Sequence, residues 1–221
     1  FFIEYEVLSR LNHPNIIKTV GFMKGDSKMS AGILQEYFIT ENFTLNYLKD
    51  QIRTETSSID TILTKILSTI LSAVKYAHEE GIQECHLNPS NIKIDTEHNE
   101  IKLLLRPKFY QHQKSDQNSI EKDKYDVFVA PEIKKEGKID NDKSDVYSIG
   151  VFIYYLLYFI EKMSENQIEN FEEEFESNFE RFRNSDSKSI PEKMNITLKE
   201  MTEKELEKRL TITNAELKLK I

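Results

Sequence analysis

Cysteine and tryptophan are the residues that this chain of 221 residues lacks most clearly, and both absences are informative. The single cysteine, Cys85, cannot form an intrachain disulfide, which is typical of a protein in a reducing compartment. We therefore expect a cytoplasmic location. Tryptophan does not occur, so ten tyrosines and thirteen phenylalanines supply the aromatic residues for a core.

An excess of positive charge is also missing. The 30 lysines and arginines are outnumbered by 38 aspartates and glutamates, and the formal net charge is −8. Because nucleic-acid-binding surfaces are normally basic, this balance predicts no nucleic-acid partner.

Long apolar segments and targeting signals are absent as well. The longest apolar run, Gly150 to Ile160, has about half of the ~20 residues that a membrane-spanning helix needs. It therefore predicts a buried core helix, and no membrane association is expected. The first residues, Phe1 to Glu4, lack the basic and apolar regions of a signal peptide.

The first 38 residues have the pattern of one helix followed by a β-hairpin. Apolar residues at helical spacing predict a helix from Phe1 to Leu11, which ends before Pro14. Two β-prone segments, Ile16 to Phe22 and Ala31 to Phe38, flank a polar turn and predict an antiparallel hairpin.

The remaining residues are mainly helical in pattern. The clearest helix is Ile59 to Glu80, where nine apolar residues form one stripe and Gly81 ends the helix. The other predicted elements are helices at Phe43 to Gln51 and Val146 to Ile160, strands at Ile92 to Ile94 and Ile101 to Leu105, a loop at Lys108 to Lys124, and a last helix that ends near Arg209.

The segment from Ser164 to Glu180 contains seven glutamates and no lysine or arginine. Within and just after it, phenylalanines recur at helical spacing. This pattern has two interpretations: an amphipathic surface helix whose glutamates are solvated, or an acidic docking face for a basic partner.

Six segments, taken in order between Glu4 and Thr211, resemble motifs of the eukaryotic protein-kinase family. They are LNHPNIIKTVGF, ILQEYF, YAHEEG followed by HLNPSNIKID, VAPE, DKSDVYSIGVFIYYLL and KRLTI. Each segment alone is a weak signal, but six in the family's order and spacing are specific. The resemblance implies one α+β, protein-kinase-like domain over residues 1–221. Residues 1–38 would be the remnant of a truncated small N-terminal β lobe with the C-helix and two strands, and residues 39–221 a large, mainly helical C-terminal lobe.

Fold does not by itself carry function, so each position that the family uses must be considered separately. Active kinases need a glycine-rich loop, a strand lysine paired with a C-helix glutamate, a catalytic base and metal ligands. The six glycines form no GxGxxG motif. Glu4 matches the C-helix glutamate, but only three residues precede it, so its usual lysine is not in the chain and we expect a solvated charge.

The catalytic loop departs from the family pattern at its chemical positions. The alignment places His86 at the catalytic base, where the family has an aspartate, and Asn88 where the family has a lysine that contacts the transferring phosphate. Cys85 replaces the arginine that binds an activation-loop phosphate. Asn91 matches the metal-binding asparagine, but one neutral ligand does not hold Mg²⁺, which prefers hard and mostly anionic oxygens.

The metal-binding DFG motif becomes Leu105-Arg106-Pro107. Leu105 offers no oxygen to a metal, so neither a metal site nor a magnesium cofactor is expected. We also predict that Arg106 pairs with Glu84, because these two charges replace two stacked aromatic residues of the family. The alternative is that the segment turns outward, which Pro107 would favour.

Nucleotide binding is expected to be weak or absent. Lys93 occupies the position of the leucine beneath adenine, and the remaining candidates for ATP are backbone groups near Glu36 and Phe38, together with Asn91. The structural residues of the family are present by contrast. The resemblance implies a Glu132–Arg209 ion pair, backbone hydrogen bonds from the catalytic loop to Asp145, and close helix packing at Gly150.

The sequence therefore predicts a kinase-like domain that is catalytically inactive and works by binding a protein partner in signalling. The alternative is a divergent kinase that transfers phosphate from ATP to serine, threonine or tyrosine with low activity, using His86 as the base. A third possibility is a truncated product or incomplete gene model of a kinase relative.

Overall fold

The computed structural model describes residues 2–25, 32–36, 40–42, 45–54, 58–83, 85, 87–95, 97–105, 125–136, 143–164 and 171–219. Within these residues, two short sheets accompany a mainly helical remainder, as the α+β pattern predicts. The helices are α1 (Phe2–Leu8), α2 (Leu45–Thr54), α3 (Ile59–Glu79), α4 (Pro131–Glu136), α5 (Lys143–Ser164), α6 (Phe171–Arg183), α7 (Glu192–Met201) and α8 (Ile212–Leu219), with a 3₁₀ turn at Asp126–Phe128. The strands are β1 (Thr19–Met23), β2 (Gly32–Gln35), β3 (Thr40–Asn42), β4 (Ile92–Asp95) and β5 (Glu100–Leu103).

The predicted N-terminal hairpin is confirmed, because β1 and β2 pair antiparallel. The register shifts between Thr19 and Gly21, so the hairpin contains a bulge. The predicted division of the chain at residue 38 stays a prediction, since residues 37–39 lie outside the described part.

A second sheet contains β3, β4 and β5 in that order, all antiparallel. The sequence predicted β4 and β5 but missed β3. The three residues of β3 are a threonine, a glutamate and an asparagine, which carry no β-type apolar pattern. Tertiary pairing with β4, and not local propensity, places them in the sheet.

The N-terminal part is fixed to the second sheet by backbone hydrogen bonds. The Leu103 N–H donates to the Asn15 carbonyl at 2.8 Å, and the Ile17 N–H donates to the Leu103 carbonyl at 3.0 Å. The Asn15 side chain also donates to the Ile101 carbonyl at 2.9 Å. The segment that follows α1 is therefore held directly against β5.

Helix α3 follows its predicted bounds closely. Its nine buried residues form the apolar stripe that packs into the core. Ser58 caps the N-terminus by accepting the Thr61 N–H. At the other end Gly81 has a φ of +81°, and the N–H groups of Gly81 and Ile82 donate to the carbonyls of His78 and Ala77. This is the Schellman arrangement, which glycine adopts without steric cost.

Helix α5 is the centre of the helical part and packs against α3, α6 and α7. It is long and apolar enough to cross a membrane, yet 83% of its apolar window is buried inside the protein. This agrees with the predicted core helix. At Gly150 the helix approaches α7 so closely that an added Cβ would lie 2.7 Å from the Thr202 Cγ2 atom.

One predicted boundary is wrong. Arg209 does not end the last helix, because α7 stops at Met201 and Arg209 lies in the turn segment before α8. Helix α8 begins at Ile212 and packs against α3, where Lys75 and Glu216 form an ion pair at 2.8 Å.

Candidate kinase-like active site

The hinge position predicted to bind nucleotide is only partly described. The Glu36 N–H donates to the Lys18 carbonyl at 2.9 Å, and the Glu36 Oε1 atom accepts the Lys18 N–H at 2.9 Å. Both groups therefore close the end of the β1–β2 hairpin. Phe38, the other hinge residue, lies outside the described residues.

The catalytic loop is folded tightly on itself at Asn88. Its Oδ1 atom accepts the Ser90 N–H at 2.9 Å and the Ser90 hydroxyl at 2.6 Å. This is an Asx-type turn, in which the side chain stabilises the backbone two residues later. The amide oxygen of Asn88 is therefore engaged within the loop, and its side chain carries no positive charge for a phosphate.

Asn91, the remaining candidate metal ligand, is buried with 5% exposure. Its N–H donates to the Asn88 carbonyl at 3.0 Å, and its carbonyl accepts the Leu104 N–H at 2.8 Å. These two bonds hold the loop against the end of β5, and they bring Asn91 to the segment that contains Leu105.

Leu105, which the sequence resemblance places at the family's metal-binding aspartate, is 3% exposed. It belongs to the main hydrophobic core, so its side chain replaces a carboxylate with buried hydrocarbon. Lys93 lies on the half-buried middle of the second sheet, opposite Lys102 of β5 and Asn42 of β3. A lysine amine at the predicted adenine floor is a polar group where the family has an apolar surface.

The residues that the structure describes do not fit a kinase metal site. They contain two groups of at least three potential ligands: His78 with Cys85 and Asp145, and Asp95 with Glu97 and His98. Neither group includes Asn91 or the surroundings of Leu105. Since Mg²⁺ needs several hard oxygens, one buried amide beside a leucine does not supply its coordination.

Behind the loop, Asp145 makes the contact that the sequence predicted. Its Oδ1 atom accepts the Cys85 N–H at 2.8 Å, and its Oδ2 atom lies 2.8 Å from the His78 Nε2 atom. Because an ionised carboxylate can only accept, His78 carries its proton on Nε2 in this contact. Asp145 thus joins α5 to both the catalytic loop and the end of α3.

The predicted Glu132–Arg209 ion pair is confirmed. The guanidinium contacts the carboxylate with both terminal nitrogens, at 2.5 Å and 2.8 Å. Arg209 is 2% exposed, and its Nε atom donates to the Glu203 carbonyl at 2.7 Å. Although burial acts to raise the pKa of Glu132, the hydrogen bonds from Arg209 and Ser144 hold that pKa below its ordinary value.

Sequence reasoning missed the residues that support this ion pair. The Ser144 hydroxyl donates to the Glu132 Oε1 atom at 2.9 Å, and the Arg209 guanidinium lies 5.0 Å from the centre of the Tyr147 ring. Both supporting residues stand in the first turns of α5, on either side of Asp145. The position of both residues beside Asp145 is visible in the sequence, but their contacts with Glu132 and Arg209 are not.

Several predicted site residues cannot be placed. His86, Glu84, Arg106 and Pro107 lie outside the described residues, so the predicted Arg106–Glu84 ion pair and the base position stay predictions. Glu4 is described, is partly exposed and forms no ion pair with any described residue, as expected of a solvated charge.

Comparison with known proteins agrees with this arrangement. The family model described as "Protein kinase domain" matches residues 1–218. Among curated proteins, the chain is 26% identical over 159 residues to sperm motility kinase Z of Mus musculus, covering 70% of this chain and 29% of that protein. It is 27% identical over 156 residues to calcium-dependent protein kinase 4 of Plasmodium falciparum, covering 70% and 28%.

A plant relative gives the same result. CBL-interacting protein kinase 21 of Oryza sativa subsp. japonica is 26% identical over 158 residues, which covers 70% of this chain and 28% of that protein. The chain therefore spans less than a third of the length of these three relatives. Its two sheets, its helical part and its match over residues 1–218 lead to one conclusion: the chain belongs to the protein kinase domain family.

Proposed function

We propose that this kinase-like domain does not transfer phosphate and acts by binding a protein partner, in a regulatory role in signalling. The observation that carries the proposal is Leu105, which is buried in the core at the position where the family has its metal-binding aspartate.

The loss of the metal ligand is the largest single effect. In the family, the divalent ion neutralises charge on the transferring phosphate and is held by this aspartate together with the catalytic-loop asparagine. Here only the neutral asparagine, Asn91, remains, and Leu105 contributes hydrocarbon. No side-chain movement at Leu105 can supply an oxygen.

The loop lacks a second charge that phosphoryl transfer uses. At the position of the family's phosphate-contacting lysine, Asn88 accepts two hydrogen bonds from Ser90 within the loop. The base position holds His86, whose imidazole can accept a proton near neutral pH but lacks a carboxylate to orient a hydroxyl. The chain therefore departs from the family at three groups that serve one reaction: the metal ligand, the lysine that contacts the phosphate, and the base that removes the proton.

Of the described residues proposed for ATP, Glu36 uses its N–H and its carboxylate for Lys18, which leaves neither group for a nucleotide in this arrangement. We propose that any nucleotide binding is weak and independent of Mg²⁺. The intact anchors around Asp145 and Glu132 support a domain that keeps its shape for protein contacts.

A transfer assay tests the proposal directly. Purified protein is incubated with radiolabelled ATP, Mg²⁺ or Mn²⁺, and a generic protein substrate, beside the His86→Ala variant. We expect no labelled product from either protein. Transfer by the wild type that disappears in His86→Ala would overturn the proposal and establish a divergent kinase with His86 as base.

A thermal-shift titration separates binding from chemistry. A ligand that binds only the folded state raises the melting temperature. We expect at most a small shift with ATP, and no additional shift when Mg²⁺ or Mn²⁺ is present. A metal-dependent shift would show that a metal site exists, contrary to the reading of Leu105 and Asn91.

A further inference from the structure

A group of three potential metal ligands lies behind the catalytic loop, where α3, the loop and α5 meet. His78 belongs to the last turn of α3, Cys85 to the loop before β4, and Asp145 to the first turn of α5. One ligand atom of each residue lies within 4.8 Å of the ligand atoms of the other two. The fold therefore brings an imidazole, a thiol and a carboxylate together from three separate segments.

Burial distinguishes this group from the other candidate group of the described residues. Cys85 is fully buried, and the side chains of Asp145 and His78 are 3% and 11% exposed. In the other group Glu97 and His98 are exposed beside Asp95, and no sulfur is present. The group behind the loop is therefore a shielded site with three different ligand types.

These ligand types are the ones that zinc prefers. Zn²⁺ binds thiolate sulfur, imidazole nitrogen and carboxylate oxygen, usually in tetrahedral geometry. Two such ligand atoms on one ion are about 3.3–3.6 Å apart, so the 2.8 Å contact between His78 and Asp145 would widen by roughly half an ångström. Mg²⁺ prefers an all-oxygen shell and does not suit this set.

The second ring nitrogen of His78 is an independent observation that supports a metal. The Nε2 atom donates its proton to Asp145, so Nδ1 carries a lone pair, and this buried atom has no hydrogen-bond partner among the described residues. Buried polar atoms normally have a partner. Because nothing holds Nδ1, the ring proton can move there from Nε2 without breaking another bond, which makes the Nε2 lone pair available to an ion.

A small cavity beside the group provides room for a further ligand. Its volume is about 70 Å³, and Asp145 lines it together with Leu87, Ser144 and Ser148. This volume is enough for a water molecule. A zinc ion with three protein ligands commonly takes water as its fourth ligand.

We propose that His78, Cys85 and Asp145 bind a Zn²⁺ ion, which joins α3, the catalytic loop and α5. The ligand atoms are Nε2, Sγ and Oδ2, and water completes the tetrahedron. Binding releases the thiol proton to solvent and moves the ring proton to Nδ1, so a thiolate and a carboxylate balance the charge of the ion. The Oδ1 atom of Asp145 keeps the Cys85 N–H, at 2.8 Å, and so positions the thiolate.

This site is separate from the position at which kinases bind magnesium, and it does not depend on the proposed function. The sequence resemblance places Cys85 at an arginine of the family, so the sulfur ligand is a feature of this chain. Phosphate transfer in the assay above would leave the zinc proposal unaffected.

Cobalt is the probe for the site, because Co²⁺ can replace zinc in tetrahedral sites and a cobalt–thiolate bond absorbs in the near ultraviolet. The full chain is stripped with a chelator, kept reduced without added thiol, and titrated with Co²⁺. We expect a thiolate band that saturates at one ion per chain and disappears when Zn²⁺ is added. Cys85 is the only cysteine of the sequence, so such a band reports on this site alone.

Three variants locate the ion. Cys85→Ala keeps the N–H that Asp145 accepts, and it should lose the thiolate band and bind Zn²⁺ at least about tenfold more weakly. His78→Gln should weaken Zn²⁺ binding to a similar degree. The control is His98→Gln, which removes a histidine with the same 2.8 Å contact to a carboxylate elsewhere, and it should leave the band and the affinity unchanged.

Thermal unfolding gives a second measurement. Zn²⁺ should raise the melting temperature of the wild type but not that of Cys85→Ala, because only a ligand of the folded state stabilises it. Circular dichroism without metal establishes which variants are folded, and Cys85→Ala decides the test if His78→Gln is not. Absence of a thiolate band in the wild type, unchanged Zn²⁺ affinity in folded Cys85→Ala, or an equal loss in His98→Gln would each overturn the proposal.

Discussion

The two sides of the catalytic loop differ in what their polar residues do. On the side where kinases transfer phosphate, Leu105 is buried at the predicted metal position, and Asn88 is bonded within the loop. On the side that faces α5, Asp145 accepts the Cys85 N–H and Glu132 binds Arg209 with two contacts. The contacts that anchor the loop and the helices are therefore present in the structure, whereas the loss of the chemical groups stays a proposal.

Physical chemistry explains why the two sides can differ so much. Replacing an exposed reactive group costs little stability, and a leucine in the core even adds apolar burial. Removing one member of a buried ion pair leaves an uncompensated charge, which is strongly destabilising. Substitutions on the first side are therefore expected to cost little stability, whereas substitutions on the second side are expected to destabilise the fold.

The largest expected effect is on the anchor side, at Arg209. Replacing Arg209 by alanine leaves the Glu132 carboxylate buried without its partner and removes the bond to the Glu203 carbonyl. We expect a loss of roughly 3–5 kcal/mol in the free energy of unfolding, the usual cost of breaking a buried pair. Urea unfolding followed by circular dichroism measures it.

The neighbouring residue provides the control. Lys208 pairs with Glu205 at 2.8 Å, but its side chain is 64% exposed. Lys208→Ala should therefore change the free energy of unfolding far less than Arg209→Ala does, because an exposed ion pair is screened by water. If the Arg209→Ala and Lys208→Ala variants were equally stable, the buried Glu132–Arg209 pair would not stabilise the fold more than an exposed pair does.

The next largest effect is expected at Gly150 of α5, the helix that carries Asp145. In Gly150→Ala, the new methyl group would lie 2.7 Å from the Thr202 Cγ2 atom and 3.1 Å from the Met201 Cβ atom. Overpacking costs roughly 1–3 kcal/mol, and the better helix propensity of alanine returns about 1 kcal/mol. We expect a net loss of up to roughly 2 kcal/mol in the free energy of unfolding on these grounds.

A second substitution tests the cause. Thr202→Ser removes the Cγ2 atom but keeps the hydroxyl, which donates to the Leu198 carbonyl and accepts from the Arg183 Nε atom. In the double variant, stability should recover in part, because the Met201 contact remains. An additive loss in the double variant would mean that the contact at Thr202 is not what requires glycine.

The sequence could predict the elements whose signal is local. The stripe of α3 and the glycine after it are visible within one window, because helix period and left-handed glycine are local properties. Strand β3 could not be predicted this way, since its three polar residues become a strand only by pairing with β4. The wrong end of the last helix has a similar cause, because Arg209 is placed by Glu132, 77 residues away.

The candidate site divides in the same way. Asp145, Glu132 and Arg209 were predicted through the family resemblance, which carries long-range information that spacing within the chain does not. The contact of Tyr147 with the Arg209 guanidinium was not predicted, because a packing partner 62 residues away is visible only when the fold is known. The predicted amphipathic helix is confirmed, because Phe171, Phe175 and Phe179 of α6 are buried, while the acidic docking face stays a prediction.

The smallest expected effect is electrostatic and lies in the turn after β4. The His98 Nδ1 atom is 2.8 Å from the Asp95 Oδ2 atom, and the N–H groups of Glu97 and His98 donate to the Asp95 Oδ1 atom. The hydrogen bond to Asp95, and then its charge, raise the pKa of His98 above the ordinary 6.5. Burial acts to raise the pKa of Asp95, but the bonds from His98 and the backbone bring it below the ordinary 3.8.

The sign of the pH dependence follows from linkage. The folded state holds the His98 proton more tightly than the unfolded state does. The contribution of His98 to the free energy of unfolding is therefore complete below pH 6.5 and is lost as the pH rises through the raised pKa. The Asp95 contribution is present above pH 3.8 and is lost as the pH falls through the lowered pKa. The pair is therefore most stabilising between these two ordinary values.

Comparing the wild type with His98→Gln isolates the contribution of His98 to stability. The other described histidine with a shifted pKa that is not raised is His13: burial and the charge of Lys102 lower its pKa, so its contribution to stability changes with pH in the opposite direction. The difference in melting temperature between wild type and variant should be largest near pH 5 to 6 and should shrink toward pH 8. It should be small throughout, since the His98 side chain is 67% exposed and water screens the pair. A difference that stayed constant across this range would mean that His98 acts through packing and not through its proton.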